Sequence, residues 1–146
     1  MRAAERLAVE KMADVAARYG EARVLGADTI VVVDGAVLGK PGSPTEAGRM
    51  LRRLSGRTHR VVTGLAVCDA GGVRVRLDSS ITEVTFKKLT RKEIEWYVGT
   101  GDPLDKAGAY GIQEGAGLFV TGIRGSYTNV VGLPLELVYR MLGLPC

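Results

Sequence analysis

The chain has 146 residues, 46% hydrophobic and 25% charged, with a net charge of +4, which is the composition of one soluble globular domain with a sizeable core. No apolar run approaches the ~20 residues of a membrane span, and the opening MRAAERLAVEKMADVAARYG is amphipathic and carries acids, unlike a secretory leader. Two cysteines, Cys68 in an apolar strand pattern and Cys146 at the last position, make no disulfide framework, so a reduced, cytoplasmic setting is expected.

Residues 2–18 read as a helix on the approximate stripe Ala4, Leu7, Ala8, Met12, Val15 and Ala16, with Gly20 as its stop. A β-hairpin follows: Ile30 to Val33 and Ala36 to Leu38 flank Asp34-Gly35, a two-residue turn signal. Counting back from a Val33–Ala36 pair sets Thr29 opposite Lys40, so Asp28, Thr29 and Lys40 are expected at one end of the hairpin. Strict alternation would put Asp28 and Lys40 on opposite faces, and they converge only if the ladder ends or bulges near Gly26 and Gly39. Ser43, Pro44 and Glu46 then open a capped helix that ends at Gly56. Thr58 to Cys68 and Val73 to Phe86 read as strands joined at Gly71-Gly72, and Thr90 with Glu93 caps a helix stopping near Gly99. The Gly-rich stretch from Gly99 to Gly132 reads as short strands and tight loops, before a last helix opened by Pro134 and closed by Gly143. Alternating helices and hairpins give an α/β or α+β class with a mixed sheet flanked by helices, in one domain over residues 1–146 without internal repeats.

Three features stand out chemically: the hairpin end with Asp28, Thr29 and Lys40; DPLDKAGAYGIQ, where Asp105 and Lys106 precede two glycines and Gln113; and GSYTNVVGLP, a small-polar loop before a helix start. Carboxylates hold hard cations or deprotonate water, ammonium groups neutralise phosphate oxygens, and glycines admit a ligand close to the backbone. The third feature reads as an anion-binding loop or, more simply, as a loop with a cap. No Walker loop, dinucleotide fingerprint or G-x-S-x-G is present. The lone His59 has no metal-ligand partners at the right spacing and reads as structural. Positive charge is dispersed over Arg49, Arg52, Arg53, Arg57, Arg74, Arg76, Lys87, Lys88, Arg91 and Lys92, while aromatics are 5%. That pattern weighs against a nucleic-acid platform and for a site that takes a small polyanion.

GADTIVVVDGAVLGKP, RMLRRLSGRTHRVVTGLAV, TEVTFKKLT, DPLDKAGAYGIQ and GSYTNVVGLPLELV together resemble the Maf family of nucleoside triphosphate pyrophosphatases, in order and with family-like spacing from about Lys11 to the last helix. The resemblance implies a mixed-sheet, inosine-triphosphatase-like fold with a cleft between two lobes. It implies hydrolysis of a nucleoside triphosphate to the monophosphate and pyrophosphate with Mg²⁺ or Mn²⁺, and a possible homodimer. By position it makes Asp28 the general base and a metal ligand, with Asp105 supporting the metal or orienting Lys106. Lys11, Lys40 and Lys106 fall on the triphosphate, and Thr29 and Gln113 at positions linked to base selectivity. The ADT and GIQ pair resembles the branch acting on dTTP and UTP, with modified pyrimidine nucleotides a further expectation. Such enzymes clear non-standard nucleotides, and some are linked to arrest of septum formation. Family members open with a strand and a Ser-x-Ser-Pro-Arg-Arg loop, whereas this sequence starts at the helix that follows, so it is expected to be N-terminally truncated relative to the family. Without that loop a second reading follows: a catalytically impaired nucleotide-binding or regulatory protein.

Overall fold

The computed structural model describes residues 2–143; Cys146 lies outside the described residues. The first helix, α1 (Arg2–Ala16), is followed by β1 (Val24–Val33) and β2 (Ala36–Leu38), joined by the expected tight turn with positive φ at Asp34 (48°) and Gly35 (76°). Helix α2 (Pro44–Leu54) starts where the sequence places it: Ser43 Oγ accepts from the Glu46 N–H at 3.1 Å, and the Glu46 carboxylate accepts from the Gly42 N–H at 2.7 Å. Strands β3 (Thr58–Cys68) and β4 (Val75–Phe86) form the long central pair, and α3 (Arg91–Gly99) is capped by Thr90, whose Oγ1 accepts from the Glu93 N–H.

The Gly-rich stretch holds fewer strands than expected. It runs through 3₁₀ turns at Asp102–Asp105, Ala107–Ala109 and Gly115–Phe119, then β5 (Val120–Arg124) and the short α4 (Tyr127–Val131). Helix α5 (Leu135–Leu142) closes at Gly143, which takes positive φ.

The five strands lie in the order β2-β1-β3-β4-β5, and every pairing is antiparallel among the described residues, where a mixed sheet was expected. The reason lies in the α2 crossover. Strands β2 and β3 run the same way, but β1 lies between them, so no parallel neighbours form. The helix-and-antiparallel-sheet architecture is α+β.

Two faces of the sheet are covered differently. On one, α1 sets Ala4, Ala8 and Met12 against Val24, Ile30, Val62, Ala66 and Cys68. On the other, α2, α3 and the 3₁₀ segments bury a cluster with Val31, Val33, Leu51, Leu54, Val61, Val84, Phe86, Tyr97 and Phe119, and α5 buries a second with Leu65 and Val67. No helix of the described residues is long and apolar enough to cross a membrane.

The approach of α1 is so close that only glycine fits beneath it. A Cβ on Gly64 would lie 2.4 Å from the backbone of Ala4 and Glu5, and one on Gly26 would lie 2.3 Å from the Ala8 carbonyl oxygen. These contacts are to helix backbone, which cannot yield by a rotamer change. Gly64→Ala is therefore expected to destabilise the fold by about 3 kcal/mol in urea unfolding, the upper part of the usual range for overpacking. Gly20→Ala, where an added Cβ meets nothing within 4 Å, is the matched control and should unfold like the parent.

Candidate active site

Asp28 sits in β1 opposite Gly64 of β3, on the face that α1 covers. Lys11, one turn beyond Ala8 on α1, donates from Nζ to Asp28 Oδ1, and the Asp28 side chain is only 15% exposed. The close packing at Gly26 and Gly64 is what brings the ammonium onto the carboxylate.

Thr29 projects to the opposite face, as alternation along a strand demands. There it lines a cavity of about 180 Å³ with Val31, Val61, Lys106, Tyr110, Gly111 and Gly132. The loop carrying Lys106 is tied to the end of the hairpin by a 3.1 Å bond from the Gly108 N–H to the Gly39 carbonyl. Gly111 gives the Lys106 stem its bed, since a Cβ there would lie 2.6 Å from Lys106 Cε. The Gly111 N–H in turn donates to the buried Tyr97 hydroxyl at 3.0 Å.

The Lys106 ammonium reaches Asp105 Oδ1 and Glu114 Oε2, each at 3.3 Å. Burial pulls its pKa down, but the hydrogen bonds and charges of Asp105 and Glu114 outweigh that, and the net shift is above the ordinary lysine value. A cation is thus held at the cavity wall at any physiological pH.

Several sequence expectations need correction. Thr29 pairs with Thr63 of β3, not with Lys40; the β1–β2 ladder stops at Val31–Leu38. Beyond Leu38 the chain turns away from the sheet at Gly39 to meet Gly108, and Pro41 has no N–H to continue a ladder. Lys40 is exposed and makes no hydrogen bond or ion pair among the described residues. Gln113 is likewise exposed, in the turn after Gly111, and is not among the residues lining the cavity. Asp105 is 80% exposed and its carboxylate meets Lys106, while that of Asp28 meets Lys11. The two carboxylates therefore do not share a partner. The described residues hold no group of three or more His, Cys, Asp or Glu side chains that could hold a metal.

The GSYTNVVGLP loop takes the simpler of its two readings. Ser126 Oγ accepts from the Asn129 N–H at 3.1 Å as a cap, and the buried Asn129 amide donates to the Val61 and Ser80 carbonyls and to Thr82 Oγ1. It pins the α4 end that forms the Val130–Gly132 wall of the cavity. Reading single positions missed Glu114, Thr63 and Asn129. Glu114 directly follows Gln113, but its meeting with Lys106 depends on a turn that no local signal specifies.

The cavity is smaller than the roughly 300–1,000 Å³ of pockets that enclose whole drug-sized ligands. It suits one ring of a larger ligand, with the remainder outside. On the β2 side, β1 has no strand partner from Val24 to Ile30 among the described residues. That edge separates the Thr29 face from the Asp28 face.

The profile of the Maf family, described as Maf-like protein, matches residues 1–144. The chain belongs to the Maf family. A dTTP/UTP pyrophosphatase of Moorella thermoacetica is 56% identical over 140 residues, 96% of this chain and 72% of that protein. Those of Symbiobacterium thermophilum and Thermococcus gammatolerans are 54% identical over 138 residues and 51% over 135, covering 94% and 92% of this chain and 70% and 71% of theirs. This Maf chain thus matches a little over two thirds of each of these relatives.

Under the cavity, His59 is buried with its Nε2 2.6 Å from the Tyr110 hydroxyl, edge-on to Phe86 and Tyr110. Burial lowers its pKa from 6.5 to about 4. A depressed histidine pKa means that the unfolded chain binds the proton first, so stability falls as pH drops from about 6.5 towards 4. Urea unfolding between pH 7 and pH 4 should show a loss of up to about 3 kcal/mol from this group. In His59→Gln that part of the pH dependence should vanish; an unchanged profile would remove His59 as its source.

Proposed function

We propose that the chain is a nucleotide pyrophosphatase that hydrolyses dTTP and UTP to the monophosphate and pyrophosphate. The observation that carries this reading is 56% identity, over nearly the whole chain, to a relative named for that activity. The geometry supports it: a ring-sized cavity with a held ammonium group on one face of β1, and a carboxylate–ammonium pair on the other.

In this reading the pyrimidine ring enters the cavity beside Thr29, and the triphosphate crosses the open edge of β1 towards Asp28 and Lys11. Lys106 neutralises phosphate oxygens from the cavity wall, and Lys40, free in solvent, closes on the phosphate tail. Gln113, which can donate and accept, reaches a base edge only if its turn moves inward. Asp28, oriented by Lys11, accepts the proton of the attacking water. Modified uridine nucleotides fall within the same class.

The donor set does not form an all-protein metal cage. A divalent cation such as Mg²⁺ or Mn²⁺ brought in by the triphosphate would take Asp28 as its protein ligand, the usual manner of Mg²⁺ at phosphate sites. When bound, the cation supplies neutralising charge for the phosphate oxygens. Asp105, spent on Lys106, serves better as an orienting partner of that ammonium. A homodimer is supported by the family resemblance alone, and a reduced, cytoplasmic setting by the cysteine usage.

With Mg²⁺ or Mn²⁺ and UTP, pyrophosphate should appear in step with UMP; release of orthophosphate alone would reject the reaction class. Asp28→Asn should lower kcat by at least about a hundredfold, as expected for removal of a general base, with nucleotide binding largely kept. Normal turnover in that variant would reject the role of Asp28.

A further inference from the structure

We infer that Thr63 is a positioning residue that fixes the Thr29 hydroxyl as a hydrogen-bond acceptor towards the cavity, and so selects a ring bearing an N–H there. The inference rests on the proposed reading, in which the pyrimidine enters beside Thr29.

Thr63 lies directly across from Thr29 in the β1–β3 ladder and is fully buried. Its Oγ1 is 2.8 Å from Thr29 Oγ1, and this is its one hydrogen-bond partner among the described residues. Each hydroxyl carries one hydrogen. If Thr29 donated to Thr63, the Thr63 hydrogen would be left buried without an acceptor, a costly arrangement. So Thr63 donates and Thr29 accepts. The Thr29 hydrogen then has its own acceptor, the Gly132 carbonyl at 3.5 Å, which as a carbonyl can only accept. Thr29 and Gly132 both line the cavity, so what remains open there is a Thr29 lone pair.

That polarity separates pyrimidines. Uracil and thymine carry an N3–H, which can donate to Thr29. Cytosine presents a bare N3 lone pair, which would face the oxygen lone pair without a proton between them. Without Thr63 the Thr29 hydroxyl can turn and serve either ring. The register pair therefore sets the preference, although Thr63 itself never touches the ligand.

Thr63→Val keeps the shape and removes the donor. Its ratio of kcat/KM for UTP to that for CTP should fall about tenfold, the scale of one net hydrogen bond. Thr63→Ser, which retains the hydroxyl, should keep the parental ratio. Thr63→Ala removes the donor with less bulk and should repeat the fall if the valine does not fold. A merely structural role would depress both substrates equally; an unchanged ratio in a folded donor-less variant, or equal losses for UTP and CTP, overturns the inference. If the parent turns over no triphosphate, the proposed function fails separately. Calorimetric binding of UMP against CMP, in the parent and in Thr63→Val, still decides the Thr63 claim: a parental preference lost in the variant supports it, and equal binding by the parent overturns it.

Discussion

Neighbouring residues of an extended strand face opposite sides, and that constraint governs this site. Asp28 and Thr29 are consecutive in β1, yet one meets Lys11 under α1 and the other opens into the cavity beside Lys106. A single ligand uses both only by passing round the strand's edge. The short β2 pairs with Val31 to Val33, and among the described residues no strand covers that edge where the two residues stand.

Each half of the site is held by packing that has little to do with charge. On the Asp28 side, the glycines at 26 and 64 let the helix backbone settle onto the sheet, which carries Lys11 to the carboxylate. On the Thr29 side, Gly111 accommodates the Lys106 stem, Tyr97 anchors Gly111, and His59 holds Tyr110 from below. The buried Asn129 fixes the remaining wall. The ion pairs themselves are partly exposed and contribute modestly to stability. Their value lies in where they hold charge.

Local chemistry was readable from sequence because it is decided within a few residues. The Asp34-Gly35 turn, the Ser43 and Thr90 caps and the bounds of β3 all follow from neighbours along the chain. Fold class was legible for the same reason, and residue type alone singled out Asp28, Thr29 and Lys106 as candidates. The register was not. Pairing Thr29 with Lys40 assumed that the hairpin ladder continued, whereas tertiary contact with Gly108 draws Gly39 away and Thr63 takes the place opposite Thr29. Glu114 reaching Lys106 and His59 reaching Tyr110 likewise depend on long-range folding. The Gly-rich stretch misled because glycine permits both strands and 3₁₀ turns, and packing over Val31 and Tyr97 chose the turns.

The straddled strand edge is tested most directly by titrating the protein with an α,β-imido analogue of dUTP while following backbone amide shifts by NMR. Amides on the cavity side, at Gly111 and Gly132, and on the helix side, at Lys11 and Asp28, should move together with one dissociation constant. Shifts confined to one face of β1, or two faces reporting different constants, would contradict a single nucleotide spanning both.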